Sequence, residues 1–204
     1  MRNLQLWDDL FAYNPKLKFI YLVRRPLDRI VSSYLHTYQI GLTDKPIESA
    51  VFQEPLFLDI TRYHTQISPF VSRFGRKQVL ILDFDDMMTE TEKTLGRVAT
   101  FLDVEPGLFA QPTLHANKTV GSSKVPWKLR KIGDLGAAIN RKVPAIGAIL
   151  RPAWRHFAYS RSRAIKERPE LTPKAKAAII HALDLEIDAI GELMGKDLSS
   201  WKEY

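Results

Sequence analysis

The chain has 204 residues, 45% of them hydrophobic, which is enough for one domain of ordinary size with a real core. Its 30 Lys and Arg outnumber its 23 Asp and Glu, so the formal charge of +7 favours an anionic partner: a polyphosphorylated nucleotide, an acidic glycan or nucleic acid. The absence of cysteine excludes a disulfide framework and a thiolate metal site. The apolar runs have strand length, and the N-terminus lacks a signal-peptide pattern, so we expect a cytoplasmic chain without a transmembrane segment.

Two continuous apolar runs predict strands that are buried in a parallel sheet. They are residues 17–23 (LKFIYLV) and residues 78–84 (QVLILDF). Between them, apolar residues recur at spacings of three and four over residues 26–39 and again over residues 60–74, which predicts two helices. The predicted order is therefore strand, helix, helix, strand.

A third helix is predicted to begin at Thr89, with the Thr89 hydroxyl capping the free amides and Glu92 reaching back. Residues 111–126 lack helical periodicity and predict a long loop. The basic residues 127–160 predict short helices, broken at Pro144 and Pro152.

The last predicted helix has clear signals at both ends. Thr172 is its expected cap, Pro173 its first residue and Gly195 its end. A doubly wound sheet usually has several parallel strands, and this sequence offers two convincing ones. We therefore expect the remaining strands to lie upstream of the chain.

Arg24 lies where the first predicted strand gives way to a helix. Parallel α/β proteins bind ligands beyond the carboxyl ends of their strands. Pro26 favours an extended conformation before it and suits the first helical position, so the free helix amides would face an anion. A guanidinium beside them can make two parallel hydrogen bonds to a phosphate. Ser32 lies on the helical row of Asp28 and can point back toward the ligand of Arg24.

The spacing of these residues also allows a purely structural interpretation. Arg24 could cap a neighbouring helix, Ser32 could bond its own backbone carbonyl, and Asp28 could pair with Arg29 or Arg25 on the surface. Spacing alone does not separate this interpretation from a phosphate site.

Three segments match motifs of one known family. KFIYLVRRPLDRIVSSYLH places a serine eight residues after an arginine at the end of a strand, and Arg24 and Ser32 are these two residues. The segment resembles the 3′-phosphate-binding segment of the sulfotransferases that use 3′-phosphoadenosine 5′-phosphosulfate. QVLILDFDDMMTETEKTLGRVATFLDV resembles the family's later strand, acidic turn and helix, with Asp85 in place of the usual glutamate. GKDLSSW resembles its closing Gly-x-x-Leu-x-x-Trp.

The resemblance implies a helix-rich α/β chain with a P-loop-like three-layer fold and a parallel sheet, forming a single domain over residues 1–204 that is incomplete at its N-terminus. It also implies sulfuryl transfer from 3′-phosphoadenosine 5′-phosphosulfate to a hydroxyl or amine acceptor, such as a carbohydrate or lipid. Arg24 and Ser32 would bind the donor's 3′-phosphate, without a metal. A nucleic-acid partner is not expected.

The sequence also departs from the family pattern. The family's Pro-Lys-x-Gly-Thr-Thr turn, which holds the 5′-phosphosulfate, is not found, and the first glycine is Gly41. The alternative is therefore a noncatalytic nucleotide-binding or interaction module that retains only the 3′-phosphate site. The catalytic base stays unassigned, because His36, His64 and His115 have no feature that singles one out, and the histidines are too scattered for a metal site.

Weaker candidates lie in the middle of the chain. Lys118 and Ser123 belong to a donor-rich loop that could close over a phosphate or be an ordinary solvated loop. The basic segments 127–133, 140–142 and 151–163 could contact nucleic acid, an anionic acceptor or a lipid headgroup, or form a solvated face. Tyr63 matches a recurrent family aromatic, but its helical spacing predicts a core residue.

Overall fold

The computed structural model describes residues 2–105, 123–124, 163–164 and 167–204. The helices are α1 (Arg2–Tyr13), α2 (Pro26–Gln39), α3 (Ile47–Gln53), α4 (Leu56–Asp59), α5 (Tyr63–Phe74), α6 (Phe84–Thr89), α7 (Thr91–Leu102) and α8 (Pro173–Met194). The strands are β1 (Phe19–Val23), β2 (Val79–Asp83), β3 (Ser123–Lys124) and β4 (Arg163–Ala164), and short 3-10 turns cover Arg76–Gln78 and Ser199–Lys202. Within the described ranges, no helix combines the length and apolar character needed to span a membrane.

The two predicted apolar runs form a parallel pair. β1 lies beside β2 in a register that places Phe19 opposite Val79 and Val23 opposite Asp83. The two carboxyl ends therefore lie side by side, and Arg24 and Phe84 are the residues that follow them. β3 and β4 form a separate antiparallel pair, so part of the predicted loop 111–126 is a short strand.

The chain forms two compact units. One contains Met1–Arg29, Leu58–Leu114 and Lys176–Tyr204, and the other contains Ile30–Phe57 and His115–Ala175. That residues 1–204 make a single domain stays a prediction.

An aromatic cluster packs one face of β1 in the first unit. Phe19 lies against Phe70 and Phe74 of α5, with ring centroids 4.8 and 4.6 Å apart. The helix α1, which we did not predict, adds Trp7 against Phe70 at 4.3 Å and Phe11 against Phe74 at 5.4 Å. Rings at these separations and tilted angles contribute favourable electrostatics beyond the area that they bury.

In the second unit, Tyr34 of α2 is a central buried residue. Its hydroxyl donates a hydrogen bond to the Lys45 carbonyl at 3.0 Å, and its ring lies 6.5 Å from Phe57. Both side chains are buried. The predicted start of the last helix is confirmed, because the Thr172 hydroxyl accepts a hydrogen bond from the Ala175 amide at 3.3 Å and Pro173 is the first residue of α8.

The predicted helix start at Thr89 is wrong. Thr89 ends α6, where its hydroxyl donates to the Asp85 carbonyl at 2.8 Å, and α7 begins two residues later, after Glu90. The physical reason is an earlier cap, since the Asp83 carboxylate accepts a hydrogen bond from the Asp85 amide at 3.0 Å and starts α6 directly after β2. The helix predicted over residues 60–74 begins at Tyr63.

The Glu48 carboxylate at the start of α8 makes stability depend on pH. It accepts a hydrogen bond from the Thr172 amide at 2.8 Å, and this bond lowers the pKa of Glu48 below its usual 4.5. A lowered carboxyl pKa stabilises the fold above the unfolded-state pKa, and the contribution is lost as the pH falls through the folded-state value. Glu48→Gln should therefore lower the thermal unfolding temperature at pH 7, and this effect should shrink as the pH falls through the lowered pKa of Glu48.

The matched control is Glu105→Gln, which removes an exposed carboxylate outside the helices. Its small effect on the unfolding temperature should be the same at neutral and acidic pH. An equal shift for Glu48→Gln at neutral and acidic pH would contradict the role of its charge.

Candidate functional site

Arg24 and Arg25 form the short connection between β1 and α2, at the carboxyl edge of the sheet. β1 ends at Val23 and α2 begins at Pro26, which confirms the predicted strand-to-helix turn. α2 has 14 residues and begins at Pro26, so its N-terminus lies directly beside the arginines. The partial positive charge of that helix end adds to the charge of the two guanidinium groups.

The Arg24 side chain lies against an aromatic ring, and its Nε atom makes no hydrogen bond to a described residue. The guanidinium carbon lies 4.5 Å from the centroid of the Phe84 ring, a cation–π arrangement. Its Nε is buried and, among the described residues, has no hydrogen-bond partner. A buried donor without an acceptor costs about 1–3 kcal/mol, which an anion bound there could offset.

The neighbouring Arg25 has a different role. Its guanidinium donates hydrogen bonds to the carbonyl oxygens of Ser200 and Glu203 at 3.1 and 3.3 Å. Within the described part of the chain, Arg25, and not Arg24, therefore binds the carbonyls of a neighbouring helical turn. The two adjacent arginines therefore differ in their contacts: Arg25 binds backbone carbonyls, whereas Arg24 lies against the ring of Phe84.

Tyr63, at the start of α5, supports the backbone of Arg24. Its hydroxyl donates a hydrogen bond to the Arg24 carbonyl at 2.8 Å. The side chain is 3% exposed, which confirms the predicted core position, and its ring lies 6.4 Å from the ring of Trp201. Burial raises the pKa of Tyr63, so its hydroxyl keeps its proton at neutral pH. Periodicity predicted this burial and missed the hydroxyl contact.

Residues 195–204, which we call the closing segment, are tied to the end of β2. Lys196 Nζ lies 2.7 Å from the Asp83 carboxylate and 2.9 Å from that of Asp86. Burial alone would lower the pKa of Lys196, but hydrogen bonds to both carboxylates outweigh it and raise the pKa. Gly195, with φ 65°, ends α8 as predicted. Asp83 and Lys196 thus anchor the motif GKDLSSW at the carboxyl edge of the sheet.

A surface cleft of about 400 Å³ runs between the end of α8 and the closing segment. Its lysines are already paired: Lys196 with Asp83 and Asp86, and Lys202 with Asp184 and Asp188, each at 2.6 Å. These neutralised cations make the cleft a weaker anion site than the turn at Arg24.

The other predicted residues lie on several different elements. Ser32 is half-buried in α2, His36 is exposed in the last turn of α2, and His64 is half-buried in α5. Ser123 belongs to β3, while Lys118 and His115 lie outside the described residues. The basic segments 127–133 and 140–142 also lie outside them, as does 151–163 apart from the backbone of Arg163 in β4. In the described ranges, no group of three or more His, Asp or Glu could hold a metal ion.

Comparison with known proteins decides the family. Residues 8–118 match the model of the sulfotransferase domain. The chain belongs to the sulfotransferase family. The chain is 26% identical over 93 residues to the 3-alpha-hydroxysteroid sulfotransferase of Cavia porcellus, covering 44% of this chain and 32% of that protein. It is 22% identical over 176 residues to human carbohydrate sulfotransferase 15, covering 74% of this chain and 30% of that protein.

A solved structure supports the fold. The sulfotransferase of Alicyclobacillus acidocaldarius superposes with a TM-score of 0.63 at 14% sequence identity, covering 97% of this chain and 62% of that one. The predicted helix-rich α/β sulfotransferase fold with a parallel sheet is thereby confirmed, while its P-loop-like character stays a prediction. The chain spans about a third of the length of the curated relatives that it matches, at 32% and 30%.

Proposed function

We propose that this sulfotransferase chain binds 3′-phosphoadenosine 5′-phosphosulfate through Arg24 and Ser32, and that it serves sulfuryl transfer to a hydroxyl or amine acceptor. The observation that carries the proposal is the buried Nε of Arg24, which has no acceptor among the described residues. A phosphate beside Arg24 would supply acceptors for N–H groups of the guanidinium.

Two further features favour an anionic ligand. The N-terminus of α2 carries a partial positive charge, which suits a phosphate group. Ser32 lies on the same helix and would add a hydroxyl donor. Both residues would hold the 3′-phosphate, away from the bond that breaks, and so act as binding residues.

The reaction itself would be an in-line displacement at sulfur. The acceptor oxygen or nitrogen forms a bond to sulfur while the bond from sulfur to the bridging phosphate oxygen breaks, and the acceptor proton passes to a base. Adenosine 3′,5′-bisphosphate leaves with the bonding electron pair. Anchoring the nucleotide at its far end lowers the entropic cost of aligning donor and acceptor. The base stays unassigned.

The net charge of the chain and the names of its relatives suggest the class of acceptor. The formal charge of +7 suits an acidic glycan, and one relative is named a carbohydrate sulfotransferase. Another relative is named for a hydroxysteroid, which keeps lipid hydroxyls as a second acceptor class.

A second candidate function is nucleotide binding without transfer. It requires only the 3′-phosphate site that is proposed at Arg24 and Ser32. A transfer assay with labelled donor separates the two functions, and we expect slow or no turnover by the 204 residues alone. Robust transfer would exclude the noncatalytic module.

The direct test of the site is calorimetric titration with two nucleotides. Adenosine 3′,5′-bisphosphate should bind at least about tenfold more tightly than adenosine 5′-monophosphate, since hydrogen bonds to a charged group contribute about 1.5–3 kcal/mol each. Equal affinities would overturn the proposed 3′-phosphate site, and no heat with either nucleotide would overturn nucleotide binding by this chain.

A further inference from the structure

Two parts of Arg24 are fixed by contacts within the first compact unit, and the next residue is fixed there too. The guanidinium lies over the ring of Phe84, and the carbonyl accepts a hydrogen bond from Tyr63. The following residue, Arg25, is tied to the closing segment. The Nε of Arg24 has no hydrogen-bond acceptor among the described residues. The side chain is therefore oriented by the Phe84 ring and by the backbone from which it extends.

We infer that Phe84 and Tyr63 are positioning residues that hold the Arg24 guanidinium in its phosphate-binding orientation, an inference that rests on the proposed function. Neither residue needs to touch the 3′-phosphate. Phe84 restricts the orientation of the guanidinium plane. Tyr63 fixes the backbone position from which the Arg24 side chain extends.

The aromatic ring suits this role because of how arginine binds phosphate. A guanidinium binds with two parallel N–H groups in its own plane, so its orientation decides whether both can reach phosphate oxygens. A ring below the guanidinium face fixes that plane and accepts no hydrogen bond from the edge. A carboxylate in the place of Phe84 would instead occupy the fork.

Phe84 is itself held in place by the end of β2. It follows Asp83, which is 2% exposed, caps α6 and pairs with Lys196 at 2.7 Å. Val23 and Asp83 lie opposite each other at the ends of β1 and β2. The residues that follow them are Arg24 after β1 and Phe84 after β2. Parallel pairing thus places the ring beside the arginine.

The test compares the affinity ratio of adenosine 3′,5′-bisphosphate to adenosine 5′-monophosphate, which isolates the 3′-phosphate. Phe84→Leu keeps an apolar side chain but removes the ring, and should lower this ratio about three- to tenfold. Tyr63→Phe keeps the ring but removes the hydroxyl, and should lower the ratio about two- to tenfold. The affinity for adenosine 5′-monophosphate should change little in either variant.

Two comparisons separate positioning from a general structural effect. In an Arg24→Ala background, Phe84→Leu should cause no further fall in the ratio, because the group it orients is gone. Phe84→Trp should restore most of the ratio, since indole is a better cation–π partner. The matched control is Phe11→Leu, which removes another ring under an arginine, that of Arg73 at 4.3 Å, and should leave the ratio unchanged.

The outcomes are distinguishable. If the wild type prefers the bisphosphate and both variants retain that preference, the positioning role is overturned and the proposed function stands. If the wild type shows no preference, the proposed function fails and the inference fails with it. Phe84 is half-buried, so Phe84→Leu keeps the test available even if Tyr63→Phe does not fold.

Discussion

Arg24→Ala is expected to weaken the binding of adenosine 3′,5′-bisphosphate by at least about a hundredfold. A guanidinium that binds a phosphate with two parallel N–H groups makes two charge-assisted hydrogen bonds, each contributing about 1.5–3 kcal/mol. Their loss corresponds to about two or more orders of magnitude in Kd. Calorimetric titration of wild type and variant measures the change directly.

Two further variants test whether the lost affinity comes from the guanidinium geometry or from charge alone. Arg24→Lys retains the charge but not the planar fork, so its affinity should fall between those of wild type and Arg24→Ala. Arg97→Ala removes an exposed arginine on α7 and controls for the lower net charge. If Arg97→Ala weakened binding as much as Arg24→Ala, long-range attraction would explain the effect and the specific phosphate site would be excluded.

Trp201→Ala should cause the largest loss of stability among the substitutions considered. Trp201 is 4% exposed in the closing segment, and its ring lies 6.4 Å from that of Tyr63. Truncating a buried Trp to alanine costs about 3–5 kcal/mol, because apolar contacts are lost and a cavity remains. Whole domains are stable by only about 5–15 kcal/mol, so the midpoint of urea unfolding should fall sharply.

Tyr204→Ala is the matched control for this variant. Tyr204 is also an aromatic residue of the closing segment, but it is 60% exposed, so its loss should change the free energy of unfolding by less than about 0.5 kcal/mol. Similar urea midpoints for the two variants would show that the closing segment contributes little to the fold.

The sequence predicted the elements that carry the site, because their patterns are local. β1 and β2 are continuous apolar runs, and Pro26 marks the start of α2 beside Arg24. The helix boundary at Thr89 failed because Asp83 and Thr89 are both good caps in isolation. The structure uses Asp83, because this cap is the last residue of β2 and starts α6 there. Thr89 then lies at the end of α6 and cannot start a helix.

The supports of Arg24 could not be predicted in the same way. Nothing local distinguishes Arg24 from Arg25, and their different roles depend on the carbonyls of Ser200 and Glu203, far away in sequence. Tyr63 followed the periodicity of a core residue, which says nothing about where its hydroxyl points. Such contacts arise from tertiary packing, where periodicity and spacing carry no information about the partner.

The bond from Arg25 to the Ser200 carbonyl joins residues 175 positions apart, and this separation has a kinetic consequence. Contacts between distant parts of a chain form slowly, because the entropy of closing the intervening loop opposes them until other contacts have formed. The β1–α2 turn can form from local contacts, but the hydrogen bond from Arg25 to Ser200 forms only after the closing segment has packed. In refolding, nucleotide binding should therefore return with the slowest phase, after most of the helical structure has already appeared.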